Sequence, residues 1–228
     1  MRTSYLGHDQ EYRRRRDAGQ LGWDTPSQEL ENVAIFEEAL LLADLGIQGN
    51  NRRLVEFGCG AGNNLIDLAQ KGWQVSGIDI SPFAIEWARE KVTALGIAAD
   101  LLVADLTHEL PWEQPPADVV LDGHCLHCII TDDRVTFLRN VRNVLKPGGI
   151  FIIHSMCGDP HLPIGKCAFD SRTRCLMHKD IALRYFGEPD SILAELAAAG
   201  FTVLNSKLTL ARDQDDQDCL MVVASSDC

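Results

Sequence analysis

The stretch Arg53-Leu54-Val55-Glu56-Phe57-Gly58-Cys59-Gly60-Ala61-Gly62 decides the fold. Its first half, Arg53–Phe57, reads as a short buried strand, and Asn63–Lys71 beyond it has a helical pattern. The glycines between them supply backbone conformations closed to residues with a Cβ and let a ligand approach the main chain. In an open α/β sheet such a loop lies at the carboxyl end of a strand, where ligands bind near the point at which strand order reverses.

Working outward, strands and helices alternate. Gln74–Asp79 is the next strand, and Ser81–Leu95 a helix with Ser81 as N-cap and Pro82 at its first position. Leu101–Ala104 and Ala117–Leu121 are two more strands, and Asp132–Leu145 is an amphipathic helix. Lys146-Pro147-Gly148-Gly149 stops that helix in a type II turn, and Ile150–His154 is a buried strand. Asp190–Ala199 is a helix closed by Gly200. Phe201–Leu210 and Cys219–Ala224 are joined by too short a connection for a helical crossover, so they pair antiparallel. The chain therefore reads as a single α/β domain: a doubly wound, mostly parallel seven-stranded sheet, helices on both faces and a C-terminal antiparallel hairpin. Its parts are an N-terminal helical cap (1–50, with a helix over Ser27–Leu45), a cofactor-binding core (51–154), a lid insertion (155–187), and a helix with the terminal hairpin (188–228).

Composition narrows the function. The 228 residues carry 21 Lys+Arg against 33 Asp+Glu, a formal charge of −12, which argues against a nucleic-acid partner. No apolar run approaches the roughly 20 residues a bilayer requires, and the polar start has no signal-peptide core, so a cytoplasmic protein without a membrane partner is expected. There the eight cysteines stay reduced, as packing groups, metal ligands or reactive thiols.

Four acids fall at strand ends: Glu56, Asp79, Asp105 and Asp122. A dinucleotide loop has glycines spaced G-x-G-x-x-G, but here Asn63 stands at the third position, and the pattern is E-x-G-x-G-x-G. EFGCGAG, GIDIS, ADL, DVVLDGHCLH and VLKPGGIFIIHS together resemble the class I S-adenosylmethionine-dependent methyltransferase family, over about Arg53 to His154 plus the terminal hairpin. The resemblance implies that Glu56 and the loop Gly58, Cys59, Gly60 and Gly62 surround the methionine part of S-adenosyl-L-methionine. Asp79 would hold the ribose hydroxyls, and Ile80, Asp105 and Leu106 would border the adenine. Asp122 and Gly123 would lie near the amino-acid end. Methyl transfer would leave S-adenosyl-L-homocysteine. An acid-lined loop suits a sulfonium with an ammonium group better than a pyrophosphate, which prefers cations and helix N-termini.

The segment Asp122–Cys128 faces the acceptor in that family, making His124 and His127 candidate bases. Nucleic-acid and protein amide methyltransferases carry Asn/Asp-Pro-Pro-aromatic here; Asp-Gly-His-Cys departs from it and points to a small-molecule acceptor. Its pocket is expected from Tyr5, Tyr12, Trp23, Ser27–Leu45 and the lid Ser155–Gly187. That insertion holds Cys157, His161, Cys167, Cys175 and His178, which could meet His124–Cys128 in space. With Cys125-x-x-Cys128 the one paired motif, no metal ligand set is assigned, and a non-enzymatic metal or thiol sensor is the alternative. A nicotinamide-dependent oxidoreductase is a further one. Arg13–Arg16 and Asp213–Asp218 read as a solvated helix face and a solvated hairpin turn.

Overall fold

The computed structural model describes residues 1–161, 165–213 and 216–226. In chain order its elements are β1 (Arg2–Thr3), α1 (Gly7–Asp17), α2 (Pro26–Leu42), β2 (Arg53–Phe57), α3 (Asn63–Gln70), β3 (Gln74–Asp79) and α4 (Pro82–Ala94). There follow β4 (Ala99–Val103), β5 (Ala117–Gly123), a 3-10 turn (Leu126–Cys128), α5 (Asp133–Val144) and β6 (Leu145–Met156). The chain closes with β7 (Ala168–Asp170), β8 (Cys175–His178), β9 (Ile181–Tyr185), α6 (Pro189–Ala198), β10 (Phe201–Thr209) and β11 (Cys219–Ser226).

The main sheet has seven strands in the order β10-β11-β6-β5-β2-β3-β4. It is parallel except where β11 pairs with β10 and β6, so the terminal hairpin is antiparallel as its short connection requires. From β2 the chain moves outward through β3 and β4, then returns to lay β5 on the other side of β2. That reversal opens a crevice between the carboxyl ends of β2 and β5.

Alternation along the strands builds both cores. Val55 and Phe57 join Val120, Phe151 and Ile153 beneath α5 and α6, while Leu54 joins Val119, Leu121 and Ile152 beneath α2 and α3. Phe57 meets Phe137 edge to face at 5.4 Å. Glu56 shares the face of Leu54 by the same period, which aims its carboxyl toward α2 and α3. Ser81 caps α4 by accepting from the Ala84 N–H at 3.0 Å, and Gly148 takes φ +70° in the expected turn.

Several expectations are corrected. Strand β4 begins and ends earlier than Leu101–Ala104, leaving Asp105 in the loop beyond it, and β6 begins at Leu145 with a bulge opposite Ala117–Val119. The insertion is not a plain lid: β7, β8 and β9 form a second sheet with β1, in the order β1-β9-β8-β7. Its turns place Arg174 and Lys179 at φ +57° and +55°, positions where no glycine or asparagine announces a turn. The Asp213–Asp218 stretch, whose residues 214 and 215 lie outside the described ones, is not simply solvated. Gln217 is buried and donates to the Cys157 and Asp159 carbonyls at the root of the lid. Nor do the insertion cysteines gather with His124–Cys128. Cys157 packs in the main core and Cys175 beside Ile130 and Ala182, and no group of three or more His, Cys, Asp or Glu among the described residues is arranged to hold a metal. Three of the four arginines do pair at the surface, Arg13 with Asp9, Arg14 with Glu11 and Arg16 with Glu90; Arg15, bonded to Glu11, also lies over the Trp23 ring. No helix among the described residues is long and apolar enough to cross a membrane.

One buried cation organises the crevice wall. Arg134 on α5 reaches both oxygens of Glu195 on α6, at 2.8 and 2.6 Å, and donates to the carbonyls of Leu126 and Ile129 around the 3-10 turn. Replacing it leaves those acceptors and a carboxylate without their partner. Arg134→Leu is expected to lower the unfolding free energy by about 2–4 kcal/mol in urea denaturation.

Candidate active site

A cavity of about 310 Å³ occupies the crevice at the strand reversal. Its floor is the glycine loop, pinned to the end of β3. The N–H groups of Gly58 and Cys59 both donate to the Ile78 carbonyl, at 2.8 and 3.0 Å. Asp79 then accepts from Gly60 N–H on one oxygen (2.9 Å) and from Ser81 N–H on the other (2.8 Å). Gly58 and Gly60 have φ +73° and +52°, and a Cβ on them would strike Cys125 at 2.5 Å and the Tyr12 hydroxyl at 2.2 Å. Gly62 serves elsewhere: it precedes α3, and its missing Cβ lets α3 close on Ala88 of α4.

The roof comes from the N-terminal arm. Tyr5 accepts from Ile130 N–H and donates to Asp133, while Asp9 accepts from the Ser81 hydroxyl and Phe83 N–H. The start of α1 is thereby tied to the core at two points, which sets His8 and Tyr12 over the cavity beside Trp23. Gln28, Asn32 and Ile35 of α2 continue the wall, and Met156, Arg184 and Gln217 close it from the lid side.

Of the residues singled out in the sequence, Glu56, Gly58, Cys59, Gly60, Asp79, Ile80, Asp105, Leu106, Gly123, His124 and His127 line this one cavity. Asp122 does not. It is fully buried behind the wall, accepting from the N–H groups of Cys125 and Leu126, and so holds the 3-10 turn in place. Asp105 accepts from Thr107 and borders the cavity from its loop.

The electrostatics are those of crowded acids. Burial pushes the Glu56 carboxyl up to about 8, against a 2.7 Å hydrogen bond from Asn64 and with the nearby Asp79 and Asp122 adding to the rise. Its second oxygen is buried without a partner. Burial also raises Asp79, opposed by its two N–H donors, and lifts Asp122 to about 7.

Across the cavity His124, His127 and His154 cluster, with the His124 ring 4.3 Å from His154 and 5.7 Å from His127, and the Nδ1 atom of each buried without a partner. Burial holds His124 well below the usual imidazole range and His154 at about 4, so both are neutral at pH 7. His124 itself sits at φ +67°, a strained turn that points the chain from β5 into the 3-10 helix. Sequence reasoning missed His154, hidden within an apolar strand, and His8, within a polar arm; neither carries a local motif.

Residues 54–149 match the family model of a methyltransferase domain. A sterol 4-C-methyltransferase of Caenorhabditis elegans is 32% identical over 108 residues, 46% of this chain and 31% of that protein. An O-methyltransferase of Aspergillus sclerotiorum is 29% identical over 147 residues, 62% of this chain and 54% of that protein. The matched stretches thus span a third to about half of these relatives. The crystal structure of Burkholderia thailandensis 1,6-didemethyltoxoflavin-N1-methyltransferase, with bound 1,6-didemethyltoxoflavin and S-adenosylhomocysteine, shares the fold at a TM-score of 0.69. It is 24% identical, over 97% of this chain and 86% of that one. The strand order and the glycine loop at its reversal are those of the class I methyltransferase fold, and residues 54–149 match a methyltransferase domain.

The raised Glu56 carboxyl has a measurable sign. An ordinary glutamate near 4.5 loses its proton in the unfolded chain, whereas the folded chain keeps it up to about 8. Stability therefore falls as pH rises across that window, because the folded state binds the extra proton. Glu56→Gln should melt together with the native chain at pH 5 and about 3–6 °C above it at pH 8, in ligand-free thermal scans.

Proposed function

We propose that this chain is an S-adenosylmethionine-dependent methyltransferase acting on a small-molecule acceptor. The observation that carries the reading is the convergence of Glu56, with an unpartnered buried oxygen, and Asp79 on a cavity floored by cradle glycines. Such a donor set attracts a sulfonium and an ammonium and repels a pyrophosphate. No lysine lines the cavity among the described residues; its arginines are Arg184 on the side of the second sheet and Arg212, engaged by Glu31 and Asp216.

In this reading Asp79 uses the remaining lone pairs of its oxygens for the ribose hydroxyls. Ile80, Asp105 and Leu106 border the adenine, and Glu56 with the Gly58–Gly60 backbone and Gly123 surrounds the methionine part. Gly62 and Asp122 act from behind, the one seating α3 and the other fixing the 3-10 turn. When bound, S-adenosylmethionine supplies an electrophilic methyl group, and S-adenosylhomocysteine is left. The chain's contribution is to orient the two partners and keep water out beneath the N-terminal roof. His124, His127 and His154 flank the acceptor end; the neutral His124 and His154 can accept a hydrogen bond from an acceptor O–H, N–H or S–H and so orient it. The enclosed roof and the −12 charge favour a small molecule over nucleic acid.

Calorimetry on the full chain tests this. S-adenosylhomocysteine should bind and NADH should not, with Asp79→Ala weakening the former at least tenfold, about 1.4 kcal/mol. Binding of NADH alone would sink the reading. A labelled methyl donor offered with thiol, carboxylate and amine pools then reports the accepting atom.

A further inference from the structure

The cavity holds a nucleophile that methyl transfer does not call for. Cys59, Cys125, Cys128 and Cys219 all line it. Three are disfavoured as thiolates: burial pushes Cys59 and Cys125 well up and Cys219 up to about 12. Cys128 is different because of what surrounds its sulfur. It ends the 3-10 turn, fixed by its own N–H to the Cys125 carbonyl at 2.8 Å and by Asp122 behind it. Two imidazoles stand with the sulfur on the same cavity wall, His127 of the same turn and His8 of α1. The Nδ1 of His8 is spoken for by the Tyr5 carbonyl at 2.7 Å, which leaves Nε2 for the sulfur. Those imidazoles outweigh burial and hold the Cys128 thiol well below its ordinary range, while the sulfur in turn raises His8 to about 9. Asp79 and Asp122 face the group with like charge, and Cys125 stands beside it. A second feature points to a ligand here. His127 and His154, both more than nine-tenths buried, line the same cavity, and the Nδ1 of each is without a partner.

We propose that Cys128, held between His8 and His127, is a covalent capture site for soft carbon electrophiles that enter the cavity, and that its alkylation excludes the cofactor. With an α-haloamide, the sulfur displaces halide: one C–S bond forms, one carbon–halogen bond breaks, and halide leaves. With a conjugated carbonyl, the sulfur adds to the β-carbon and the protonated His8 delivers its proton to the α-carbon. Neither step needs an oxidant or a reductant. The capture stands on the imidazole-flanked sulfur alone. The exclusion of cofactor rests on the methyltransferase reading.

Limiting iodoacetamide on the full chain at pH 6, followed by peptide mapping, tests the site. Cys128 should be carbamidomethylated at least tenfold faster than the lid thiol Cys167. His8→Gln, and separately His127→Gln, should slow Cys128 at least tenfold with circular dichroism unchanged. If either variant fails to fold, Tyr5→Phe, which loosens the anchor of the arm carrying His8, should slow labelling severalfold. Labelling of Cys128 no faster than Cys167, or rates unaltered in every folded variant, overturns the capture site. S-adenosylhomocysteine should protect Cys128, and the labelled chain should no longer bind it in calorimetry; unchanged binding after labelling overturns the exclusion. A native chain that labels at Cys128 but never binds S-adenosylhomocysteine overturns the methyltransferase reading and leaves the capture site standing.

Discussion

The cavity depends on the two hydrogen bonds accepted by Asp79. One of its oxygens holds Gly60 of the loop after β2, and the other holds Ser81, the cap of α4. A single carboxylate thus sets the spacing between the glycine floor and the next helix. Ser81 passes the constraint on, since its hydroxyl donates to Asp9 and fixes α1 above. Floor, wall and roof are joined through two side chains, and the same carboxylate is exposed to whatever fills the crevice. Its position on β3 follows from the parallel register with β2, which pairs Phe57 with Ile78.

Holding several acids together in the interior has an energetic consequence. Glu56, Asp79 and Asp122 are all buried, and each is harder to ionise than in water. These carboxyls are thereby less comfortable than the groups of an ordinary core, and positive charge brought beside them would restore their charged forms.

The sheet and its crevice were legible in the sequence because their signals are local. Gly58 and Gly60 occupy positive φ, Ser81 and Pro82 announce α4, and the apolar run Ile150–Ile153 fits only a buried strand. Glu56, Asp79 and Asp122 fall in the last residues of β2, β3 and β5 for the same reason, whereas Asp105 lies in the loop beyond β4. What stayed hidden has no local signature. The second sheet turns at Arg174 and Lys179, residues that do not ordinarily carry such turns. His8 and Cys128 come to one cavity from elements far apart in the chain, and no spacing between them encodes it. Asp122 looked like a ligand-facing acid, yet the N–H groups of the following turn claim it first.

The pairing of β1 with β9 brings the beginning of the chain against a strand near its end, Arg2 beside Ile181 and Thr3 beside Ala182. Contacts so distant in sequence are slow to form, because a long loop must close before they repay its entropy. On a ribosome the arm that carries Tyr5, His8 and Tyr12 is made first, yet its strand partner is made only after the entire glycine loop and β2–β6 have been extruded. The parallel core can therefore be in place while the crevice is still uncovered. The strand that holds the start of the arm thus reaches it only after most of the sheet has been made.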